Sequence, residues 1–181
     1  MKVLVVVDMQ NDFIDGSLGT KEAQAIVPNV RKKVKDAVKN GDLIIYTRDT
    51  HYPDYLDTKE GKKLPVEHCI YKTEGWRIPD DLLPPFTYDN AVIFDKPTFG
   101  YTKLPSKIRS ALGMEHKCDE IEVIGLCTDI CVVSNAMLLK ADFYEETEIS
   151  VDASCCAGVT PETHEAALKT MEMCQINVKR G

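Results

Sequence analysis

Cys131 is the residue of this chain whose type and position most directly indicate chemistry. It lies between an apolar run over 121–124, typical of a buried strand, and a helix-like apolar pattern over 131–140. At a helix N-terminus, backbone N–H groups and the positive end of the helix dipole favour the thiolate form of a cysteine. The position therefore predicts that Cys131 is a nucleophile. A plain buried thiol is the commoner occupant of such a junction and is the alternative interpretation.

Two acid–base groups stand at the ends of other predicted strands. Asp8 directly follows the β-branched run over 2–7, and Lys96 closes the segment that begins with the apolar run over 91–94. A carboxylate held at an apolar strand end has a raised proton affinity and could accept a thiol proton. A buried ammonium group nearby would favour the thiolate and stabilise negative charge during attack. A turn-capping Asp8 and a solvated Lys96 are the alternatives.

A third set of side chains could bind a metal ion. Asp49 and His51 follow the predicted strand over 43–47, and His68 lies further along the same loop. One carboxylate and two imidazoles form an adequate ligand set for zinc, iron or manganese when water fills the open positions. Two ordinary loop histidines are the alternative interpretation.

The elements that must position these groups alternate between strand and helix patterns. Strands are predicted over 2–7, 43–47, 91–94, 121–124, 148–151 and 176–178, and helices over 23–38, 104–112, 131–140 and 161–173. This alternation predicts an α/β fold, a three-layer αβα sandwich with a doubly wound, mostly parallel sheet. Ligands bind beyond the carboxyl ends of the strands in such sheets, where the groups above are expected to converge. The stretch over 48–86 lacks sustained periodicity, and so long a loop is usually functional.

Length and composition restrict the class of protein. With 181 residues and 44% hydrophobic content, a single domain over residues 1–181 is expected. The net charge of -7, without a basic run, argues against nucleic acid as a partner. The N-terminal apolar run is too short for a signal peptide, and no run approaches a membrane span. Seven cysteines without disulfide or zinc spacing indicate a reduced, cytoplasmic enzyme.

Three segments of this chain resemble the signatures of the isochorismatase-like cysteine hydrolases, in the same order and spacing. They are Val-Val-Asp-Met-Gln-Asn-Asp-Phe around Asp8, Phe-Asp-Lys-Pro-Thr-Phe around Lys96 and Gly-Leu-Cys-Thr-Asp-Ile-Cys-Val around Cys131. The resemblance runs from residue 2 to residue 178, and the last segment is most similar to the nicotinamidase/pyrazinamidase branch. It implies that Asp8, Lys96 and Cys131 form a catalytic triad. It also implies a cis peptide before Cys127 and an oxyanion hole made by the N–H groups of Cys127 and Cys131.

The same resemblance implies a metal site. Asp-x-His followed by a loop histidine is similar to the nicotinamidase site, so one divalent ion is expected on Asp49, His51 and His68, zinc first, with iron or manganese as alternatives. In some relatives a carboxylate before the second histidine completes the set; Glu60 occupies that place, and Asp57 competes with it. Common nicotinamidases read Asp-Trp-His-Pro, then Asn-His and Ser-Phe. This chain reads Asp-Thr-His-Tyr-Pro-Asp-Tyr-Leu-Asp-Thr and lacks the further histidine and serine.

Aromatic residues beside the motifs could hold a flat ring. Phe13, Phe99 and Tyr101 are predicted to form this slot, with Trp76 as a further candidate and ordinary core packing as the alternative. His164 is expected to be exposed in the first turn of a helix. The side chains expected to play no part in a site are His116, His164, Cys118, Cys155, Cys156 and Cys174.

The activity that the resemblance implies is hydrolysis of nicotinamide to nicotinate and ammonia through a thioester, as in NAD salvage. The expected partner is a small carboxamide substrate, without nucleic acid or membrane, and we expect a homo-oligomer. The alternative is a related cysteine amidase or ureido hydrolase acting on another small carboxamide, which would stay active without metal. Isochorismatase itself, a vinyl-ether hydrolase, fits less well because that chemistry does not need the cysteine. A non-catalytic binding protein would have no need of all three triad residues.

Overall fold

The computed structural model describes residues 1–113, 118–143 and 147–180, so His116 lies outside the described residues. The strands are β1 (Lys2–Val7), β2 (Leu43–Asp49), β3 (Ala91–Lys96), β4 (Glu120–Leu126), β5 (Glu148–Ala157) and β6 (Asn177–Lys179). The helices are α1 (Asn11–Ile14), α2 (Lys21–Asn40), α3 (Leu104–Leu112), α4 (Val133–Phe143) and α5 (Pro161–Met173). The strands form one sheet in the order β3-β2-β1-β4-β5-β6, and the neighbouring pairs are parallel.

Helices cover both faces of this sheet. α2 packs against β2, β4 and β5, whereas α4 packs against β5 and also contacts α3 and α5. The connections from β1 to β2 and from β4 to β5 run in opposite directions along the sheet. Right-handed crossovers therefore place α2 on one face and α3, α4 and α5 on the other. The predicted α/β fold with a doubly wound sheet is confirmed.

The central strands and the first long helix follow directly from the sequence. β1, β2 and β4 are almost entirely buried, as their β-branched and apolar runs predict. α2 starts earlier than predicted because the side chain of Thr20 accepts a hydrogen bond from the N–H of Ala23 at 3.0 Å. It ends at Gly41, which adopts the left-handed conformation. Within the described residues, neither α2 nor another helix is long and apolar enough to cross a membrane.

Some elements differ from the prediction. The short helix α1 forms soon after Asp8, in a segment predicted to be irregular. β5 continues to Ala157 instead of ending at residue 151, because Cys155 and Cys156 are buried within it. The stretch over 48–86 begins with the end of β2 and contains two single-turn helices, Tyr55–Asp57 and Asp80–Leu82.

Gly125 allows β4 to lie close to β1. Its φ is +116°, and a Cβ built on it would lie 2.1 Å from the carbonyl oxygen of Val7, its partner in register. Gly125→Ala is therefore expected to lower the free energy of unfolding by at least about 2 kcal/mol, because both the backbone conformation and the available space exclude a methyl group. Urea denaturation measures this loss.

Gly41→Ala is the matched control for this substitution. Gly41 also has a positive φ, +73°, but no described atom lies within 4 Å of a Cβ built there. We expect a loss of about 1 kcal/mol from backbone conformation alone. Equal losses at the two positions would show that the close approach of Gly125 to β1 does not matter.

Candidate active site

The carboxyl ends of four neighbouring strands carry the residues with the strongest chemical signals. Asp49 and Lys96 are the last residues of β2 and β3 and are partners in register. Asp8 follows β1, and Cys127 follows β4. The strand order reverses between β1 and β4, which is where doubly wound sheets bind their ligands. The structure thus brings these groups together at the edge of the sheet where a site is expected.

Asp8, Lys96 and Cys131 form one buried cluster. The Lys96 ammonium nitrogen lies 2.7 Å from Asp8 Oδ2 and 3.6 Å from Cys131 Sγ. It also donates a hydrogen bond to the carbonyl oxygen of Thr98 at 3.0 Å. The other Asp8 oxygen accepts a hydrogen bond from the Thr47 hydroxyl at 2.8 Å. Since Asp8 and Lys96 are 0% exposed and Cys131 is 4% exposed, solvent screens their interactions little.

Burial governs protonation in this cluster. It raises the pKa of Asp8 above its usual value, although the Lys96 ammonium acts in the opposite direction. Burial works to lower the pKa of Lys96, but the neighbouring carboxylates, Asp8 first, more than offset it and hold that pKa above its usual value. Burial and then the charge of Asp8 raise the pKa of Cys131 well above its usual value. The expectation of a stabilised thiolate is therefore wrong: the resting thiol is neutral and must lose a proton to react.

Cys131 reaches this cluster from a π-helical turn, Thr128–Val132, and not from the first turn of an α-helix. The N–H of Val132 donates to the carbonyl oxygen of Cys127 at 3.0 Å, which is the i to i+5 pattern of such a turn. The peptide bond between Leu126 and Cys127 is cis, as the resemblance implies. Single π-helical turns occur frequently at functional sites.

The side chains of the predicted metal set lie together beside this cluster. One ligand atom from each lies within 4.8 Å of the others in the group Asp49, His51, Glu60 and His68. Asp49 Oδ2 is 2.9 Å from His51 Nε2 and 3.5 Å from His68 Nε2. His51 Nε2 is in turn 3.6 Å from Glu60 Oε1. Asp57 is exposed and outside this group, so the geometry favours Glu60 as the fourth donor.

These donor atoms fit a divalent cation. Within the described residues, His51 Nε2 and Glu60 Oε1 are buried without a hydrogen-bond partner, and the Asp49 oxygen that faces both imidazoles is Oδ2. Buried lone pairs without a partner cost free energy, which a bound cation would offset. His68 Nδ1 lies 2.8 Å from the carbonyl oxygen of Val66, which orients the ring and leaves Nε2 for the ion. Two carboxylates and two imidazoles suit zinc and related ions.

Gln10 holds Asp49 in place, a contact that sequence reasoning missed. Its fully buried carboxamide accepts a hydrogen bond from the N–H of Asp49 at 2.7 Å and donates one to the carbonyl oxygen of Asp49 at 2.9 Å. Asp12 likewise accepts a hydrogen bond from the N–H of Cys69, next to His68, at 2.7 Å. The signal was the run of amide and carboxylate side chains immediately beyond a buried strand.

One cavity of about 240 Å³ opens onto both clusters. Its polar and thiol lining consists of Cys127, Cys131, Asp49, Glu60, His68 and Thr20. Its apolar lining consists of Phe13, Leu18, Leu64, Phe99, Ile130 and Val159. A small molecule in this cavity would therefore contact both the π-helical turn that carries Cys131 and the predicted metal-binding residues.

The predicted aromatic slot is only partly present. Phe13 and Phe99 line the cavity, whereas Tyr101 lies outside its described lining. The Tyr101 ring packs 6.5 Å from the ring of Phe94, and its backbone N–H donates to Asn135 Oδ1 at 2.9 Å. Tyr101 is therefore held in the packing between β3 and α4, and its part in a substrate slot stays a prediction.

Trp76 and His164 also occupy positions that differ from expectation. The Trp76 indole N–H donates to the hydroxyl of Thr50 at 2.9 Å, and the ring lies outside the described cavity lining. His164 is half-buried, with Nδ1 2.8 Å from the hydroxyl oxygen of Thr128. The prediction that His164 is exposed is wrong because α5 packs against the π-helical turn Thr128–Val132.

A buried thiol beside a carboxylate and an ammonium group, at the carboxyl ends of parallel strands, can supply a nucleophile, a proton acceptor and a positive charge, the groups that covalent hydrolysis uses. The isochorismatase-domain family model matches residues 2–179. The chain therefore belongs to the isochorismatase family, and the resemblance stated from its motifs is confirmed.

Three relatives show the range of that family. The nicotinamidase of Saccharomyces cerevisiae is 25% identical over 98% of this chain and 99% of its own length. The pyrazinamidase of Pyrococcus horikoshii, solved in complex with zinc, superposes with a TM-score of 0.80 at 26% identity, over 99% of both chains. The N-carbamoylsarcosine amidase of Thermoplasma acidophilum superposes with a TM-score of 0.77 at 28% identity, over 99% of this chain and 96% of its own. The proteins to which this chain is similar thus include nicotinamidases and pyrazinamidases as well as a further amidase.

Proposed function

We propose that this protein is a nicotinamidase, a metal-assisted cysteine hydrolase that converts nicotinamide to nicotinate and ammonia. The observation that carries the proposal is the single cavity lined by both Cys131 and the group Asp49, Glu60 and His68. A substrate with an amide at one end and a metal-binding ring nitrogen at the other would engage both. Nicotinamide has that form.

The size and walls of the cavity support a small, flat substrate. Its volume of about 240 Å³ lies below the range of about 300 to 1,000 Å³ typical of pockets for drug-sized ligands. Phe13 and Phe99 supply aromatic faces, and Ile130 and Val159 add aliphatic wall. A ring stacked there would present its amide carbon to Cys131.

The chemistry begins with the neutral thiol. Asp8, whose pKa is raised by burial, accepts the proton of Cys131 while the sulfur attacks the amide carbon. The N–H groups of Cys127 and Cys131 stabilise the oxyanion, and the Lys96 ammonium, 3.6 Å from the sulfur, offsets the charge as it develops. Asp8 then gives this proton to the amide nitrogen, the C–N bond breaks so that ammonia leaves, and a thioester remains on Cys131. Water completes the cycle by hydrolysing that thioester.

The metal set would assist both ends of this reaction. Asp49, His51, His68 and Glu60 would hold the ion, which when bound supplies a positive charge that favours deprotonation of water and attracts the ring nitrogen. We propose zinc, with iron or manganese as alternatives. The zinc complex of the Pyrococcus pyrazinamidase supports this choice.

The main alternative is a cysteine amidase or ureido hydrolase acting on another small carboxamide. The likeness to the N-carbamoylsarcosine amidase of Thermoplasma acidophilum favours it. The two functions differ in their need for the metal set, because the alternative uses Asp8, Lys96 and Cys131 without it. A panel of carboxamides, assayed before and after metal removal, separates them.

We also propose a cytoplasmic enzyme of NAD salvage that forms a homo-oligomer. All seven cysteines, each within the described residues, are free, which suits a reducing compartment. The oligomeric state is measurable by analytical ultracentrifugation.

Metal removal tests the substrate assignment. Chelated protein is expected to release no ammonia from nicotinamide until a divalent ion is restored, because substrate placement and thioester hydrolysis both use the ion. Iodoacetamide should still label Cys131, since its sulfur is not among the four side chains that would hold the ion. His51→Ala should reproduce the chelated state permanently.

A matched pair of variants tests the fourth donor. Glu60→Gln should weaken metal binding by at least about tenfold, because it removes a charged carboxylate from the metal site. Asp57→Asn should leave the affinity for the metal unchanged. Equilibrium dialysis with elemental analysis measures both. Full nicotinamidase activity in protein shown to be metal-free would overturn the site and the preference for nicotinamide.

A further inference from the structure

The nucleophile turn Thr128–Val132 is fastened to the beginning of α5 by two consecutive side chains. The fully buried hydroxyl of Thr128 lies 2.8 Å from His164 Nδ1. The carboxylate of Asp129 accepts hydrogen bonds from the N–H of Val159 at 3.2 and 3.1 Å. Val159 also lines the substrate cavity. The turn, one cavity wall and the first turn of α5 therefore form one connected unit.

His164 is itself held on a well-defined element. Thr160 caps α5: its hydroxyl accepts a hydrogen bond from the N–H of Thr163 at 3.2 Å, and the Thr163 hydroxyl accepts one from the N–H of Thr160 at 3.1 Å. A Cβ added to Gly158 would lie 2.9 Å from the Cα and Cβ of His164, so backbone packs directly against this residue. The imidazole thus meets Thr128 from a rigid position.

The surroundings of His164 favour a neutral ring. Burial lowers its pKa below the usual value, and Arg180 acts in the same direction, while Glu165 and Asp129 act against them. Glu22 of α2 lines the cavity on which the imidazole borders. In the neutral ring with its proton on Nε2, Nδ1 accepts a hydrogen bond from the Thr128 hydroxyl, which gives this buried group a partner.

We propose that His164 is a positioning residue: through its hydrogen bond to Thr128 it fixes the turn that carries Cys131 and the N–H groups of the oxyanion hole. The proposal rests on the function proposed above. Thr128 directly follows Cys127, and the same turn contains Cys131. A small rotation of the turn would misalign the nucleophile and both N–H groups, and a displacement of about 1 Å can cost about two orders of magnitude in rate.

Two single variants and their double variant test this role. Thr128→Val keeps the shape of the side chain but removes the hydroxyl, and His164→Ala removes the imidazole. Each is expected to lower kcat for nicotinamide by at least about tenfold and to leave KM within about twofold, because the interaction acts on the turn and not on bound substrate. The double variant should be no slower than the slower single variant.

Rescue distinguishes positioning from general support of the fold. His164→Asn places an amide group near the position of Nδ1 and should restore kcat to within about threefold of the wild type, whereas His164→Gln places its amide near Nε2 and should not. Lys169→Ala, an exposed change on the same helix, serves as the control. Multiplicative losses in the double variant, or equal activities of the asparagine and glutamine variants, would overturn the proposal.

A second readout does not depend on the proposed function. The rate at which iodoacetamide alkylates Cys131 should change by at least about threefold in His164→Ala, because thiol reactivity depends on the surroundings of the sulfur. In His164→Asn this rate should return to the wild-type value. If the wild type hydrolyses no carboxamide, the proposed function fails, and the alkylation rates alone decide the role of His164. An alkylation rate that is the same in all variants would overturn that role.

Discussion

Replacing Cys131 by alanine is expected to lower amide hydrolysis by at least about four orders of magnitude, the scale of loss seen when a covalent nucleophile is removed. In the proposed reaction the sulfur forms the thioester, and it lies 3.6 Å from the Lys96 ammonium nitrogen, whose charge would offset the developing negative charge. Ammonia release measures the rate. The fold should survive, because alanine removes a single buried sulfur and leaves the backbone hydrogen bonds of the turn in place.

Other cysteines provide the controls for that result. Cys155→Ala removes a buried thiol from β5, and Cys174→Ala removes an exposed one, and both variants should keep full activity. Mass spectrometry of quenched reactions should find an acyl adduct on Cys131. An adduct on another cysteine, with activity preserved in Cys131→Ala, would end the assignment.

Asp8→Asn is expected to cost at least about two orders of magnitude in turnover, because asparagine keeps the shape but cannot accept the thiol proton. Lys96→Met should cost a similar factor. The double variant should lose far less than the product of the two, since the groups are 2.7 Å apart and serve one proton transfer. Steady-state rates of the four proteins close the cycle, and independent, multiplicative losses would show that the two residues act in different steps.

The same cycle has a counterpart in stability. Both residues are 0% exposed, so removing one partner leaves a buried charge and should cost about 3 kcal/mol or more. The double variant removes both charges and should recover part of that loss. Thermal or urea unfolding of each variant shows whether the inactive proteins are folded, which keeps the kinetic comparison valid.

Much of the fold and the placement of the site could be predicted from the sequence. Runs of β-branched residues identify buried parallel strands, and the carboxyl ends of such strands meet at one edge. Asp8, Asp49 and Lys96 each stand at such an end, so their convergence follows from topology. The neutral state of Cys131 could not be predicted in this way, because burial and the charge of Asp8 outweigh the opposing charge of Lys96, and burial depends on packing.

Hydrogen bonds between side chains and segments that are distant in sequence could not be predicted either. The hydrogen bonds of Gln10 to Asp49 and of Thr128 to His164 join residues that are distant in sequence and that no local pattern relates to each other. Pattern analysis likewise treats Glu60 and Asp57 as equals. The single-turn helix Tyr55–Asp57 separates them, since it leaves Asp57 in solvent while Glu60 turns toward His51.

Asp49 belongs to both parts of the site, the predicted metal set and the cluster of Asp8, Lys96 and Cys131. One of its oxygens faces His51 and His68, and the other lies 3.6 Å from the Lys96 ammonium nitrogen. A redesign of this pocket for a different amide can therefore change residues elsewhere in the cavity lining, but it must leave Asp49 unchanged. Any change there would alter the ion's affinity and the acid–base balance of the nucleophile together, so the two properties cannot be tuned separately at this position.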